Sequence, residues 1–324
     1  MITHPEKVLF PDNGITKGAV AAYYDAIAPL MLPYIRGRPV TLERFPQGIA
    51  QKGFMQKNVG KGTPDWLERI ELPKKGGVTV YPLIGDERSM AWMANQNTIT
   101  PHVWTSRMPD LEHPDIFIVD LDPSEDNAET LRAGALAVRA LLDELQLPSW
   151  LKTTGSKGYH IAVPLDGKSD FEEVARFGYA VASLLVARDP EHLTQEFAKA
   201  DRGTRIFLDV RRNGYGATYA APYAVRPKPG APISAPCTWD ELESGAAAPQ
   251  TFTLRTMAAR TADVGDLWAD MHKRRRSLRR PVAQLRRLLG DDWVEEPWAS
   301  QSARRVEVMH EGYARWAADR RAKA

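Results

Sequence analysis

Asp120-Leu121-Asp122 sets two carboxylates on one side of an extended chain, about 6–7 Å apart along the backbone. Hard divalent cations such as Mg2+ take oxygen ligands of this kind. Two such ions held ~3.5–4 Å apart stabilise both the attacking and the leaving oxygen of an in-line phosphoryl displacement. Asp209 would complete the cage if its strand lay beside that of the pair; alone, an Asp-x-Asp before Pro123 serves equally well to cap a turn. Thr153-Thr154-Gly155-Ser156-Lys157-Gly158 is too short for a P-loop and no helix pattern follows it, so that reading fails. It can still form a turn whose backbone N–H groups, hydroxyls and Lys157 surround phosphate oxygens, with a bare hairpin turn as the alternative. His160, two residues beyond the loop, could bond a phosphate.

The elements that must position these groups follow from hydrophobic period. Ile116–Asp122 reads as a strand, and Asn127–Leu145 as a helix with Leu131, Ala135, Val138, Leu142 and Leu145 on one face. Trp150–Thr153 and Tyr159–Val163 read as strands, Asp170 caps a helix running to about Ala187, and Arg205–Val210 is the last strand. This βαββαβ order predicts a split βαβ sheet of strand order 4-1-3-2 with helices on one face. Alternation then turns Phe117, Val119, Leu121, Ile161, Val163 and Leu208 toward the helices. Asp120, Asp122, His160 and Asp209 converge on the open face.

Residues 1–60 read as a turn-rich start, a helix from about Lys17 that Pro33 helps to end, and a basic loop around Phe54-Met55. Val78–Ile84 reads as a strand and 86–97 as a short helix. Lys7, Lys17, Arg44, Lys52 and Lys57 are candidates for phosphate contacts and Phe54 for base stacking, against the plainer reading of a solvated basic face. From Lys273 to Arg287 there are eight Lys or Arg and no acid, with Leu278, Leu285 and Leu288 opposite. Residues 263–324 read as mostly helical, and a stripe of Val306, Met309, Tyr313 and Trp316 reads as a docking helix.

Over 324 residues, 43 Lys and Arg against 41 Asp and Glu leave a net charge of +2, which does not announce a nucleic-acid partner, so any electrostatic argument is local. One cysteine excludes an internal disulfide and a Cys-based zinc site. No apolar run approaches the ~20 residues of a membrane span, and no signal-peptide pattern opens the chain. A cytoplasmic protein without a membrane partner is the expectation.

Together these residues resemble the polymerase (primase-like) domain of bacterial DNA ligase D and its stand-alone relatives, within the archaeo-eukaryotic primase superfamily. The motifs are Pro5-Glu6-Lys7-Val8-Leu9-Phe10-Pro11, Thr16-Lys17-Gly18, Ile118-Val119-Asp120-Leu121-Asp122-Pro123, Thr154-Gly155-Ser156-Lys157-Gly158-Tyr159-His160, and Phe207-Leu208-Asp209 with Arg212-Asn213 and Ala221-Pro222-Tyr223. They span roughly residues 4–270. The resemblance implies that Asp120, Asp122 and Asp209 hold two catalytic Mn2+ or Mg2+ ions. It implies that Thr154, Ser156, Lys157, His160, Arg212 and Arg226 surround the triphosphate of an incoming NTP or dNTP, and that His102 sits at its sugar. Lys7 and Lys17 correspond to residues that grip a downstream 5′-phosphate, and Arg202 to a loop arginine that configures the site. Members extend primers on gapped or broken DNA, often with a preference for ribonucleotides and Mn2+.

The chain departs from that pattern in carrying Thr154 where serine is common, and Phe54-Met55 where two aromatics stack on template. No Lys-x-Asp-Gly ligase motif occurs, so a separate DNA ligase is an expected partner, and the resemblance implies the end-binding protein Ku as another. The expected fold is α+β, with a catalytic domain over 1–270 (modules about 1–110 and 111–270) and a basic helical extension over 271–324. A template-directed nucleotidyltransferase is the leading expectation. A metal-dependent nuclease and a non-catalytic nucleic-acid-binding module share the carboxylates and the basic face.

Overall fold

The computed structural model describes residues 2–60, 62–74 and 77–294. Strands β1 (Val8–Phe10) and β2 (Ile15–Thr16) form a hairpin turned at Gly14, whose φ of 63° suits only glycine well. Thr16 caps α1 (Lys17–Ile35), its hydroxyl accepting from the Ala19 amide at 3.2 Å. Pro33 does not end this helix: it and Pro29 both lie inside. The fully buried Tyr24, Met31 and Ile35 carry the last turns past the missing N–H groups, and the chain turns away only at Gly37, at a φ of 74°.

Next come β3 (Val40–Arg44), β4 (Phe54–Gln56), β5 (Arg69–Lys74), β6 (Gly77–Pro82), α2 (Glu87–Asn95) and β7 (Thr98–Val103). Phe54-Met55, expected in a loop, instead form an edge strand, because Glu43 and Arg44 of β3 pair with Met55 and Phe54. The second half contains β8 (Ile116–Pro123), α3 (Ala128–Glu144), β9 (Trp150–Thr153), β10 (Tyr159–Pro164), α4 (Phe171–Arg188), β11 (Leu193–Thr194), β12 (Ile206–Asp209), β13 (Tyr219–Ala220) and β14 (Pro236–Cys237). One sheet runs β11-β12-β8-β10-β9-β14; the other runs β13-β7-β3-β4, so β13 returns to close the earlier sheet.

Helices α3 and α4 cover one face of the six-stranded sheet, where Phe117, Val119, Leu121, Ile161, Val163 and Leu208 are buried. Two glycines let the helices sit close: a Cβ at Gly178 would meet the Phe117 ring at 2.9 Å, and one at Gly134 would meet Ile206 at 3.0 Å. Beyond α5 (Trp239–Glu243) and α6 (Met257–Val264), α7 (Arg279–Leu289) packs on α4 through Leu285 and Leu289, with Leu278 buried just before it. Leu288, expected on that face, is 43% exposed, because the inward stripe advances by four residues to Leu289. The stripe expected at Val306, Met309, Tyr313 and Trp316 lies outside the described residues. Among the described residues, no helix is long and apolar enough to cross a membrane.

Where the chain passes from one sheet to the other, Asp115 is buried between Arg38 and Arg107, at 2.6 Å from each. Burial works against the charge, but the two guanidiniums hold the carboxyl below its ordinary range. Arg38 also donates to the carbonyls of Tyr34 and Trp104, so this node joins α1 to the strand that leads into the second sheet. Asp115→Asn should therefore destabilise the protein at neutral pH by roughly 3–5 kcal/mol, leaving the buried Arg38 and the partly buried Arg107 uncompensated. Because the folded-state pKa is depressed, the parent's advantage exists above the unfolded value and is lost as pH falls through the folded one. Denaturant melts of both proteins at pH 7 and near pH 3 should show the gap narrowing in acid; an equal gap at both would contradict this account.

Candidate active site

On the open face, one register line crosses four strands, Asp209 on β12, Asp120 on β8, His160 on β10 and Lys152 on β9. Residues opposed in this way lie ~4.5–5.5 Å apart at Cβ, so two carboxylates meet side by side in a largely buried setting. Arg212, in the turn after β12, bridges them, with Nε 3.2 Å from Asp120 Oδ2 and Nη2 3.2 Å from Asp209 Oδ2. Asp122, two residues along β8, is paired to Arg202 Nη1 at 3.1 Å.

The charges follow from this crowding. Burial opposes ionisation of Asp120, yet His160 and Arg212 hold it well below the usual carboxylate range. Asp209 is pushed up, chiefly by burial and also by the charge of Asp120, with Arg212 only partly offsetting them. Burial, reinforced by Lys152, drives His160 down to about 4 despite Asp120. The ring is thus neutral at pH 7, its Nε2 lies 3.3 Å from Asp120 Oδ1, and its Nδ1 is buried without a partner among the described residues. Lys152 is fully buried and bonded to the Ser234 hydroxyl. Sequence reasoning did not single it out, although its parity opposite His160 was available.

In front of this row lies a cleft of about 200 Å³, lined by Asp120, Asp122 and His160 and by Thr154, Ser156, Lys157, Arg212, Arg226 and His102. The loop Thr154–Gly158 is clamped by its glycines: a Cβ at Gly158 would fall 1.8 Å from the Leu121 carbonyl oxygen, and one at Gly155 would lie 2.6 Å from the Arg226 side chain. Thr154, expected among the groups around a phosphate, lines the cleft, and its hydroxyl also bonds within the loop. It accepts from the Ser156 and Gly158 amides at 3.1 Å each and donates to the Gly158 carbonyl at 2.9 Å. The Ser156 hydroxyl and Lys157 ammonium are left to face the cleft.

Other groups that line the cleft or brace its lining have no sequence signal of their own. Thr218, Tyr219 and Ala220 form a wall, and β13 is too short to show alternation. Glu43 binds His102, Oε2 to Nε2 at 3.0 Å, while burial keeps His102 below its ordinary pKa despite this partner. Gln250 donates to the Ser156 carbonyl at 2.7 Å and steadies the loop.

A second cationic group stands apart from the cleft lining. Lys17 is 3% exposed and donates to the Thr3 carbonyl at 2.7 Å. Its pKa is lowered, first by burial and then by Lys7 and Arg44, so the three cations crowd one another. Arg44 is fixed by the Gln96 carbonyl at 2.6 Å and lies 5.4 Å from the Phe54 ring centre. Phe54 and Met55 are about half exposed, and Lys52 is exposed.

No three His, Cys, Asp or Glu side chains among the described residues already converge on one metal-sized point. The donor chemistry nevertheless fits divalent cations: three carboxylates stand on two adjacent strands, and Arg212 and Arg202 now hold the opposing positive charge.

The sequence model of a family described as the LigD primase-polymerase domain matches residues 16–268. The chain is 37% identical over 275 residues to the multifunctional non-homologous end joining protein LigD of Mycolicibacterium smegmatis, covering 83% of this chain and 36% of that protein. It is 32% identical over 293 residues to the protein of the same description from Pseudomonas aeruginosa, covering 89% of this chain and 34% of that protein. The chain thus spans about a third of the length of these curated relatives. The solved polymerase domain of Mycobacterium tuberculosis ligase D in complex with DNA superposes with a TM-score of 0.80 at 32% identity, covering 85% of this chain and 99% of that one. The mixed α+β fold is shared with that domain.

The electrostatics of the row are directly testable in metal-free protein. Imidazole NMR across roughly pH 3.5–8 should find His160 neutral above about pH 5, with its proton on Nε2. A His160 titrating near the ordinary 6.5 would show that Lys152 and burial do not govern it.

Proposed function

Because the chain belongs to the LigD primase-polymerase family, we propose that it is a template-directed nucleotidyltransferase of DNA end repair, adding an NTP or dNTP to a primer 3′-hydroxyl. One observation carries this reading: Asp120 and Asp122 border the same cleft as Lys157, Arg212 and Arg226, with Asp209 beside Asp120 on the next strand. A nuclease would use the carboxylates but has no need of a triphosphate cradle. An RNA-recognition-type module would place aromatics, not acids, on the central strands.

Ser156, Lys157, Arg212 and Arg226 would bind the triphosphate, on a loop held in shape by Thr154 and its glycines. His102, braced by Glu43, would meet the sugar. Asp120, Asp122 and Asp209 would hold two Mn2+ or Mg2+ ions, which when bound offset charge on the reacting phosphate and on the oxygens at either side. His160 fixes the rotamer of Asp120 through its Nε2, and Arg202 holds Asp122 from the neighbouring loop. Tyr219 and the buried end of the row keep bulk water from the inner side of the carboxylates.

The M. tuberculosis domain was solved with DNA, and a primed or gapped duplex is the partner proposed for this chain. Lys7, Lys17 and Arg44, whose mutual repulsion an anion would relieve, would take a downstream 5′-phosphate. Lys52 would contact the backbone and Phe54 would stack on a template base. A primase-like catalytic sheet within residues 1–270, with a basic extension over 271–324, is part of the same proposal. So are a separate DNA ligase and Ku as partners, and work at the bacterial nucleoid.

Asp120→Ala combined with Asp122→Ala should abolish extension of a gapped primer in Mn2+ or Mg2+ while leaving duplex affinity largely intact. Surviving extension would sink the proposal. Extension should also be stronger on gapped duplexes carrying the downstream 5′-phosphate, and Lys7→Ala should erase that preference. Equal extension on both duplexes by the parent protein would remove the phosphate role from the basic cluster.

A further inference from the structure

The loop that carries Ser156 and Lys157 joins β9 to β10, and Arg226 packs against its Gly155, so these parts of the triphosphate cradle lie on the β10 side of the Asp120–Asp122 strand, while Arg212 reaches the cleft from the turn after β12. In-line displacement sets the attacking oxygen opposite the leaving one. With the phosphate loop on the β10 side, the β12 side is the one left open to a primer end. There the open face presents Phe207, in register with Asp122. Against it lies Phe197, from the loop after β11, with ring centres 6.3 Å apart and an interplanar angle of 74°.

Phe197 is 61% exposed, the most exposed of the large hydrophobic side chains described. A ring so placed contributes little to the core, yet its loop is held firmly. Arg202 donates to the carbonyls of Glu196 at 2.9 Å and Phe197 at 2.8 Å. The same guanidinium lies 3.9 Å from the Phe207 ring centre and pairs with Asp122 at 3.1 Å. One arginine thus ties the backbone of an exposed aromatic to a carboxylate of the reacting centre. Arg211, 4.3 Å from the Phe197 ring centre, brings positive charge to the same edge.

We propose that Phe197 is a stacking platform for the base of the primer's terminal nucleotide, placing the 3′-hydroxyl over the carboxylates from the β12 side. This rests on the polymerase reading above. Base–aromatic stacking tolerates any base, as an enzyme that extends arbitrary ends requires.

The test uses the full chain and gapped duplexes whose primer ends either in a normal nucleotide or in an abasic one. With the normal end, Phe197→Ala should weaken duplex binding and raise the duplex KM roughly tenfold, within the range for losing one base stack, while the NTP KM changes little. With the abasic end the loss should vanish. Phe197→Leu, which keeps apolar bulk against Phe207 without an aromatic face, should behave like the alanine variant, and Phe197→Trp should restore binding. Unchanged affinity, or an equal loss on both primer ends, would overturn the platform. A parent protein that extends no primer would instead overturn the polymerase reading, and this inference with it.

Discussion

Two carboxylates, Asp120 and Asp209, face each other across adjacent strands and are largely shielded from water, and the rest of the site exists to make that tolerable. Burying like charges side by side is costly unless cations and donors compensate. Arg212 bridges the pair, neutral His160 bonds one member, and Arg202 holds Asp122. The direct ion pairs come from arginines, whose planar fork lets Arg212 reach a carboxylate oxygen on each strand at once.

That arrangement needs a sheet whose register does not slip, since a shift of one residue would turn Asp120 and Asp122 into the helix-covered face. The opposite face supplies the constraint. Phe117, Val119 and Leu121 are locked beneath α3 and α4 by close contacts that Gly134 and Gly178 permit. The loop carrying Lys157 is pinned to the same strand, because Gly158 lies against the Leu121 carbonyl. Packing on one side of the sheet thereby fixes distances on the other.

Much of this was legible in the sequence for a physical reason. Period-two parity counted from Leu121, Ile161 and Leu208 assigns Asp120, His160 and Asp209 to one face. Lys152 was equally accessible by parity, opposite His160, but it belongs to no chemical motif. Tyr219 lines the cleft, and Glu43 and Gln250 brace its lining residues His102 and Ser156, through pairings distant in sequence that no local pattern encodes. Thr154 carries the expected residue type, yet its hydroxyl is turned into its own loop, a matter of turn geometry. Pro33 misled because tertiary burial of α1 outweighs the local preference of proline. The near-neutral net charge hid opposed regions, with cations at Lys7, Lys17 and Arg44 and carboxylates gathered on the sheet.

The central claim is that the opposed carboxylates form a divalent-cation site completed by a nucleoside triphosphate. Mn2+ binding followed by electron paramagnetic resonance tests it without any turnover. The parent protein should bind Mn2+ more tightly when an NTP is present, and Asp120→Asn combined with Asp209→Asn should lose most of that binding while remaining folded. Equal Mn2+ binding by the parent and the double variant would contradict the account.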